Sequence, residues 1–262
     1  MKNAICLHGL SSGLSQKVLN SSVDMPNIIK NLKENLIIPN ECDVFLHTWQ
    51  HDDIDELLSK YAPKDSCVEN SILFYKNNLI DKLKHLRRKY VMEQNHENRK
   101  NDIMSRWYSF KKSVSLAIEY SYNHGFVYDK IFVTRFDLML NKKVNLDHLA
   151  SENFYTGNWS RWYDEFGNEL NEIDISKGKS YKYIGKKGFP FDSEGLHDFW
   201  FVSNADSIEK FSLCYDNLEN LFNEVGLSSH KLALKHLDNI NLLKNIDYFL
   251  EFPQDYTLGR WV

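Results

Sequence analysis

Three groups of residues in this chain have types and spacing that could do chemistry. The first is Gly9-Leu10-Ser11-Ser12-Gly13, which satisfies the G-x-S-x-G pattern of a nucleophile elbow and follows directly on His8. An activated serine there would attack an acyl carbon with help from a histidine base. The second is Arg135-Phe136-Asp137, a guanidinium and a carboxylate two residues apart at the end of the apolar run 131–134. Arginine offers a planar fork of donors to phosphate, and aspartate can hold a hard divalent cation. The third is Asp198, near the head of the apolar run HDFWFV, with Asp192, Glu194 and His197 close in sequence. A carboxylate within reach of an acceptor hydroxyl is a candidate general base.

These groups matter only if the elements around them bring them together. Residues 3–8 (NAICLH) are apolar and bounded by glycine, which predicts a buried first strand. Residues 25–36 place Ile28, Ile29, Leu32 and Leu36 at helical spacing, with Pro26 suited to a first turn. Residues 42–49 (CDVFLHTW) predict a second strand, and strand–helix–strand is the opening of a parallel sheet. A long helix is expected over 72–90, a polar loop over 93–102, and an amphipathic helix over 105–122 with Trp107, Phe110, Val114, Ile118 and Ser121 on one stripe. Residues 131–134 predict the strand that delivers Arg135 and Asp137 to its C-terminal end.

Residues 151–192 read as a loop rich in aromatics, among them Trp159, Trp162, Tyr163, Tyr181 and Tyr183. Residues 197–202 predict a further strand. Ser203 and Asp206 read as a capping box for a helix reaching about residue 224, followed by a short helix over 230–237 and a terminal strand over 247–252. With no internal repeat and no low-complexity linker, the chain reads as one domain over 1–262. Its expected class is α/β, a mostly parallel sheet flanked by helices.

Composition narrows the partners. A formal charge of −4 and a pI near 6.2 argue against a nucleic-acid binder, which needs a basic face. Lys82, Lys84, Arg87, Arg88 and Lys89 crowd one stretch; they read as a solvated helix face, with a site for an anionic partner or peripheral contact to a membrane surface as the alternative. No run reaches the length of a membrane span, and too few apolar residues precede His8 for a signal segment, so the expected location is cytoplasmic. Cys6, Cys42, Cys67 and Cys214 are scattered without metal-ligand or redox spacing, and read as reduced thiols.

Position decides between the uses of Ser11. In an α/β-hydrolase the elbow follows several strands, whereas here it follows the first, and no upstream chain supplies an oxyanion loop. The other use of a small-residue loop after a first parallel strand is to admit a ligand to the backbone. Gly9 and Gly13 allow close approach, and Ser11 and Ser12 add hydroxyls that suit phosphate or ribose. Neither the dinucleotide fingerprint nor the P-loop lysine motif is present.

Four segments together resemble a broad group of bacterial and viral surface-polysaccharide proteins, glycosyltransferase-like with a GT-A core. They are ICLHGLSSG; CDVFLHTW; MSRWYSFKKSVSLAIEY running into YDKIFVTRFDLML; and HDFWFVSNADSIEKF followed by HKLALKHL. The resemblance implies a Rossmann-related fold whose residues 1–140 bind a nucleotide-sugar donor and whose residues 141–262 face a glycan or lipid-linked acceptor. It places base and ribose near His8, Gly9, Ser11, Ser12, His47 and Trp49, and the diphosphate near Arg135 and Asp137. Ser105, Tyr108 and Lys111 match polar positions of the preceding helix, with Lys111 as a phosphate contact.

Asp137 is the implied ligand of Mn²⁺ or Mg²⁺, and Asp198 the implied base. The acidic motif departs from the group's pattern in having one carboxylate, so Arg135 takes over part of the cation's work. His230 and His236 are weaker metal-ligand candidates, and the clustered aromatics suit an acceptor cleft. The alternatives are a non-catalytic nucleotide- or glycan-binding protein on the same fold and, third, a serine hydrolase using Ser11.

Overall fold

The computed structural model describes residues 1–11, 24–75, 96–157 and 195–259, together with the backbone of 162–163, 169–170 and 182–183; side chains of 96–98 and of these short pairs are not included. The first half is built from β1 (Asn3–Gly9), α1 (Met25–Leu32), β2 (Asp43–Trp49), α2 (Ile54–Tyr61), β3 (Asp65–Glu69), α3 (His96–Asn123), β4 (Lys130–Arg135) and β5 (Leu138–Leu140). The second half holds β6 (Phe154–Gly157), β7 (Trp162–Tyr163), β8 (Glu169–Leu170), β9 (Lys182–Tyr183), β10 (His197–Ser203), α4 (Ala205–Ser212), α5 (Leu218–Val225), α6 (Ser229–Asn239), β11 (Ile246–Asp247) and β12 (Tyr256–Leu258).

Among the described residues, seven strands form the main sheet in the order β11-β6-β10-β4-β1-β2-β3. The run β3-β2-β1-β4 is parallel, β10 is antiparallel to both β4 and β6, and β11 is parallel to β6. The class is α/β with a mostly parallel sheet flanked by helices. Strict alternation along the buried strands divides the core in two. Ile5 and Leu7 of β1, Val44 and Leu46 of β2 and Phe132 of β4 face α1 and α2, whose Ile28, Leu32, Ile54 and Leu57 cover them. Ala4, Cys6, Phe45, Ile131 and Val133 face α3, which buries Ile103, Trp107, Phe110, Val114 and Ala117 against them. Helices α4 to α6 extend that second layer.

Several expectations are revised. Residues 96–102 belong to α3 and not to a loop; the helix starts in polar sequence and acquires its apolar stripe from Ile103 onward. Phe154–Gly157, expected within a loop, is a buried strand between β10 and β11. The cap before α4 is Asn204, whose side chain accepts from the Ser207 amide at 2.8 Å. Ser203 instead ends β10 and donates to Asn153 O at 2.7 Å. The helix expected to 224 is broken after Ser212, where a short 3₁₀ turn precedes α5. The terminal strand is only Ile246–Asp247, and Tyr256–Leu258 pairs with β5 in a separate ribbon. Most of the helix expected over 72–90, with its basic face, lies outside the described residues; 71–75 are irregular. All four cysteines are free thiols, and no helix among the described residues is long and apolar enough to cross a membrane.

Replacing Asn204 by Ala should therefore lower stability by about 1 kcal/mol through loss of the cap, read as a shifted urea midpoint with unchanged slope. An unchanged midpoint would return the cap to Ser203.

Candidate functional site

The parallel half of the sheet reverses direction of growth between β1 and β4, and open α/β sheets place ligands at the carboxyl ends of the strands where that happens. His8 of β1 stands in register with Arg135 of β4, so both side chains emerge at that edge on the α3 side. Asp137 follows one residue beyond Phe136, which is buried in the α1 layer. The Gly259 amide donates to Asp137 O at 2.7 Å, and the ribbon of β5 and β12 that starts at Leu138 fixes the turn. Arg135 reaches back to Asp137, Nη2 to Oδ2 2.5 Å, and its guanidinium lies 5.5 Å from the Phe199 ring centre. The motif read from sequence is thus one partly buried ion pair, with side chains 18% and 12% exposed.

Because β10 runs antiparallel, its first residues arrive at the same edge. Its pairing with β6 is irregular between His197 and Phe201. Trp200 and Val202 pack in the α1 layer, and unbroken alternation would send Asp198 there too. The irregularity turns Asp198 toward α3, where Arg106 meets it: Nη1 to Oδ2 is 2.5 Å, and Arg106 Nη2 also donates to the Asp198 carbonyl. His230, at the start of α6, adds Nδ1 at 3.2 Å from Asp198 Oδ1 while donating to Leu196 O at 2.8 Å. Gly195 makes this approach possible, since it has φ +90° and a side chain there would overlap the His230 backbone.

Asp198 has no exposed side-chain surface. Burial alone would raise its pKa, but Arg106 and then His230 hold the carboxyl well below the usual carboxylate range. This revises its expected role. A carboxylate so stabilised as an anion, closed from solvent and held by two partners, is a poor proton acceptor for a hydroxyl. It serves as an anchor for Arg106. The other carboxylates considered for the base, Asp192 and Glu194, lie outside the described residues, as do Ser12, Gly13 and the side chains of the aromatic segment.

His8 is buried against Phe110, ring centres 5.2 Å apart, and its Nδ1 finds no hydrogen-bond partner among the described residues. Burial, reinforced by Arg106 and Arg135, holds its pKa well below the ordinary histidine value, so the ring is neutral. His236, named as a weaker ligand candidate, is buried with Nε2 3.2 Å from Lys210 O.

The loop after β1 is tied down from both sides. Gly9, at φ +101°, donates its amide to Ser109 Oγ at 2.7 Å and receives the Thr48 hydroxyl on its carbonyl at 2.9 Å. Ser11 is buried; its Oγ lies 2.7 Å from Thr48 Oγ1 and 2.8 Å from His51 Nε2. His51 was not singled out in the sequence, and it supplies the histidine a hydrolase would need. Its Nδ1, however, accepts the Asp53 amide at 3.2 Å, which leaves the proton on Nε2. The donor order then runs from His51 to Ser11 to Thr48 to the Gly9 carbonyl. The imidazole gives a proton to the serine and cannot take one, so Ser11 is a loop brace and not an activated nucleophile.

The remaining expected contacts are placed unequally. His47 is fully buried, with Nδ1 2.7 Å from Ser109 Oγ and Nε2 2.8 Å from Glu69 Oε2, so both ring nitrogens are engaged inside the fold. Trp49 is 5% exposed and stacks on Tyr108 at 5.9 Å. Tyr108 in turn donates to Glu69 at 3.0 Å. Lys111 is paired with Asp216 at 2.6 Å, and Ser105 is half-buried on α3 next to Arg106. The structure therefore brings together His8, Arg106, Arg135, Asp137 and Asp198, and uses Ser11, His47 and Trp49 to support the neighbouring loop. Sequence reasoning missed Arg106. Its signal is an arginine inside the buried stripe Ile103, Trp107, Phe110, where a charge needs a buried partner.

No family model and no curated protein matches this chain. Among solved structures it is similar to the CTP:phosphocholine cytidylyltransferase of Streptococcus pneumoniae, with a TM-score of 0.42 and 14% identity over 98% of this chain and 93% of that one. A superposition at that level carries no argument about activity.

Arg106→Met should leave Asp198 charged and buried beside His230 alone, lowering stability by about 3–5 kcal/mol, and adding Asp198→Leu should restore most of it. The depressed Asp198 pKa also fixes a pH dependence. Its contribution is complete above the unfolded carboxyl value of about 3.9 and is lost as pH falls below it, so the stability gap between the parent chain and Arg106→Met should be full at pH 7 and narrow toward pH 3. Urea midpoints between pH 3 and 7 measure both effects.

Proposed function

We propose that the edge between β1 and β4 binds a nucleoside-diphosphate sugar, and that the protein transfers the sugar to a hydroxyl of a glycan or lipid-linked acceptor. The observation that supports this most directly is the convergence of two guanidinium groups, Arg106 from α3 and Arg135 from β4, beside neutral His8 at the switch point of the sheet. Each arginine is held on a carboxylate, so its position is set before a ligand arrives. Their side chains keep 22% and 18% exposure, enough to present donors to an entering anion. A nucleotide-binding transferase is the coarser form of this reading; glycosyl transfer is the finer one, drawn from the polysaccharide-protein resemblance of the four segments.

In that reaction the bond between the anomeric carbon and the diphosphate oxygen breaks, and negative charge develops on the leaving diphosphate. Arg135 is placed to meet that charge with paired N–H donors, and Arg106 adds to the positive potential from the helix side. His8 stays neutral and adds a polar edge without repelling either arginine. The Gly9 to Ser11 segment, braced by Ser109, Thr48 and His51, forms a rigid floor for the nucleoside end. Mg²⁺ or Mn²⁺ fits the donor set, because such ions bind through one or two carboxylates with substrate phosphates and water completing the shell, and Asp137 stands at the edge with one oxygen on Arg135. When bound, the cation would neutralise further diphosphate charge.

Thermal-shift measurements against UDP-, GDP- and CDP-sugars, with and without Mn²⁺, test the reading. One donor class should raise stability selectively, by about 2.7 kcal/mol at a hundredfold excess over its dissociation constant. Arg135→Ala should remove that rise and slow sugar transfer by about 10²–10³-fold. No response to any nucleotide, or full transfer activity in Asp137→Asn, would contradict it.

A further inference from the structure

Adjacent parallel strands β2 and β3 pair His47 directly with Cys67, and Glu69 lies two residues further along β3 on the same face. This register gathers an imidazole nitrogen, a thiol sulfur and a carboxylate oxygen within 4.8 Å of one another. His47 is fully buried, while Cys67 and Glu69 are half-buried and border solvent. From this geometry we infer that His47, Cys67 and Glu69 form a binding site for a zinc-like transition-metal cation, distinct from the Asp137 edge.

The donor set selects the metal class. Nitrogen and sulfur ligands with one carboxylate suit borderline Zn²⁺, whereas Mg²⁺ and Ca²⁺ take oxygen ligands. Zinc bonds of about 2.0–2.3 Å set neighbouring tetrahedral ligands about 3.3–3.7 Å apart, a spacing that falls inside the 4.8 Å that bounds these three donor atoms. Three protein ligands leave a fourth position for water, the arrangement of an open site.

The surrounding groups are those that orient metal ligands. His47 Nδ1 meets Ser109 Oγ at 2.7 Å, and the Tyr108 hydroxyl donates to both Glu69 oxygens at 3.0 and 3.2 Å. Ser109 serves either state of the ring. Without a cation, the 2.8 Å contact between His47 Nε2 and Glu69 Oε2 holds a proton, and the Ser109 hydroxyl donates to Nδ1. With a cation on Nε2, the proton sits on Nδ1 and is donated to Ser109, whose hydroxyl turns to the His47 carbonyl at 3.3 Å. The imidazole thus keeps one proton in either state, and the proton released on binding is that of the Cys67 thiol, which goes to solvent as the thiolate takes the ion. Bound there, it would clamp edge strand β3 to β2, next to the Trp49–Tyr108 stack.

Cobalt substitution tests this without any nucleotide. The full-length protein, stripped with chelator, should take up one equivalent of Co²⁺ with near-ultraviolet thiolate-to-metal absorption that Zn²⁺ abolishes by displacement. Cys67→Ser should lose that absorption, and Glu69→Gln should keep it while binding Zn²⁺ at least about tenfold more weakly in a chelator competition. Because Cys67 is half-buried and serine is close in size, circular dichroism should show the variant folded as the parent. The absence of thiolate absorption in the parent protein would overturn the site. So would its persistence in Cys67→Ser, which would place the metal on one of the other three cysteines.

Discussion

A carboxylate with no exposed surface is tolerated in a protein interior only when compensating positive groups approach it closely, and Asp198 meets that condition through Arg106 at 2.5 Å and His230 at 3.2 Å. The three residues come from β10, α3 and α6, so one ion-paired cluster joins the antiparallel strand to the helices that cover it. Arg106 is thereby fixed at the same sheet edge as Arg135. The irregular pairing of β10 with β6 and the left-handed backbone at Gly195 both turn the chain toward this cluster. The rest of the edge is arranged around that fixed charge: a neutral His8 beside two arginines, and Asp137 balancing Arg135.

A second network, largely uncharged, supports the loop after β1. Ser109 accepts the Gly9 amide and meets His47, and His47 meets Glu69 on the edge strand. The same helix that carries Arg106 to Asp198 thus carries Ser109, three residues on, to the neighbouring strand ends. Helix α3 is the element through which both halves of the edge are aligned, and its buried stripe from Ile103 to Ala117 holds it on the sheet. The proposed donor site and the inferred cation site lie on either side of this alignment, one over β1 and β4, the other over β2 and β3.

The sequence made some of this plain and hid the rest for physical reasons. Strands β1, β2, β4 and β10 are buried on both faces and read as unbroken apolar runs, and α1 and the later part of α3 show a 3.6-residue stripe. Strand β3 (DSCVE) carries no such signal because it is a half-buried edge, and β6 is only four residues long. The polar start of α3 forms helix ahead of the packed stripe, where local pattern says loop. Arg135 and Asp137 were legible as a pair because only Phe136 separates them. Arg106 and Asp198 are 92 apart, and nothing local records that they meet. Ser11 matched a nucleophile pattern in letters, but its role is set by His51, forty residues on, and by the backbone amide that fixes that ring's proton.

The central claim is that the edge between β1 and β4 holds a diphosphate against Arg135. The most direct measurement is a crystal structure of the protein soaked with a nucleoside-diphosphate sugar. The account predicts diphosphate oxygens within hydrogen-bond reach of the Arg135 guanidinium, with the nucleoside over residues 8–11. A diphosphate bound away from Arg135, or an edge left without ligand at saturating concentration, would contradict it.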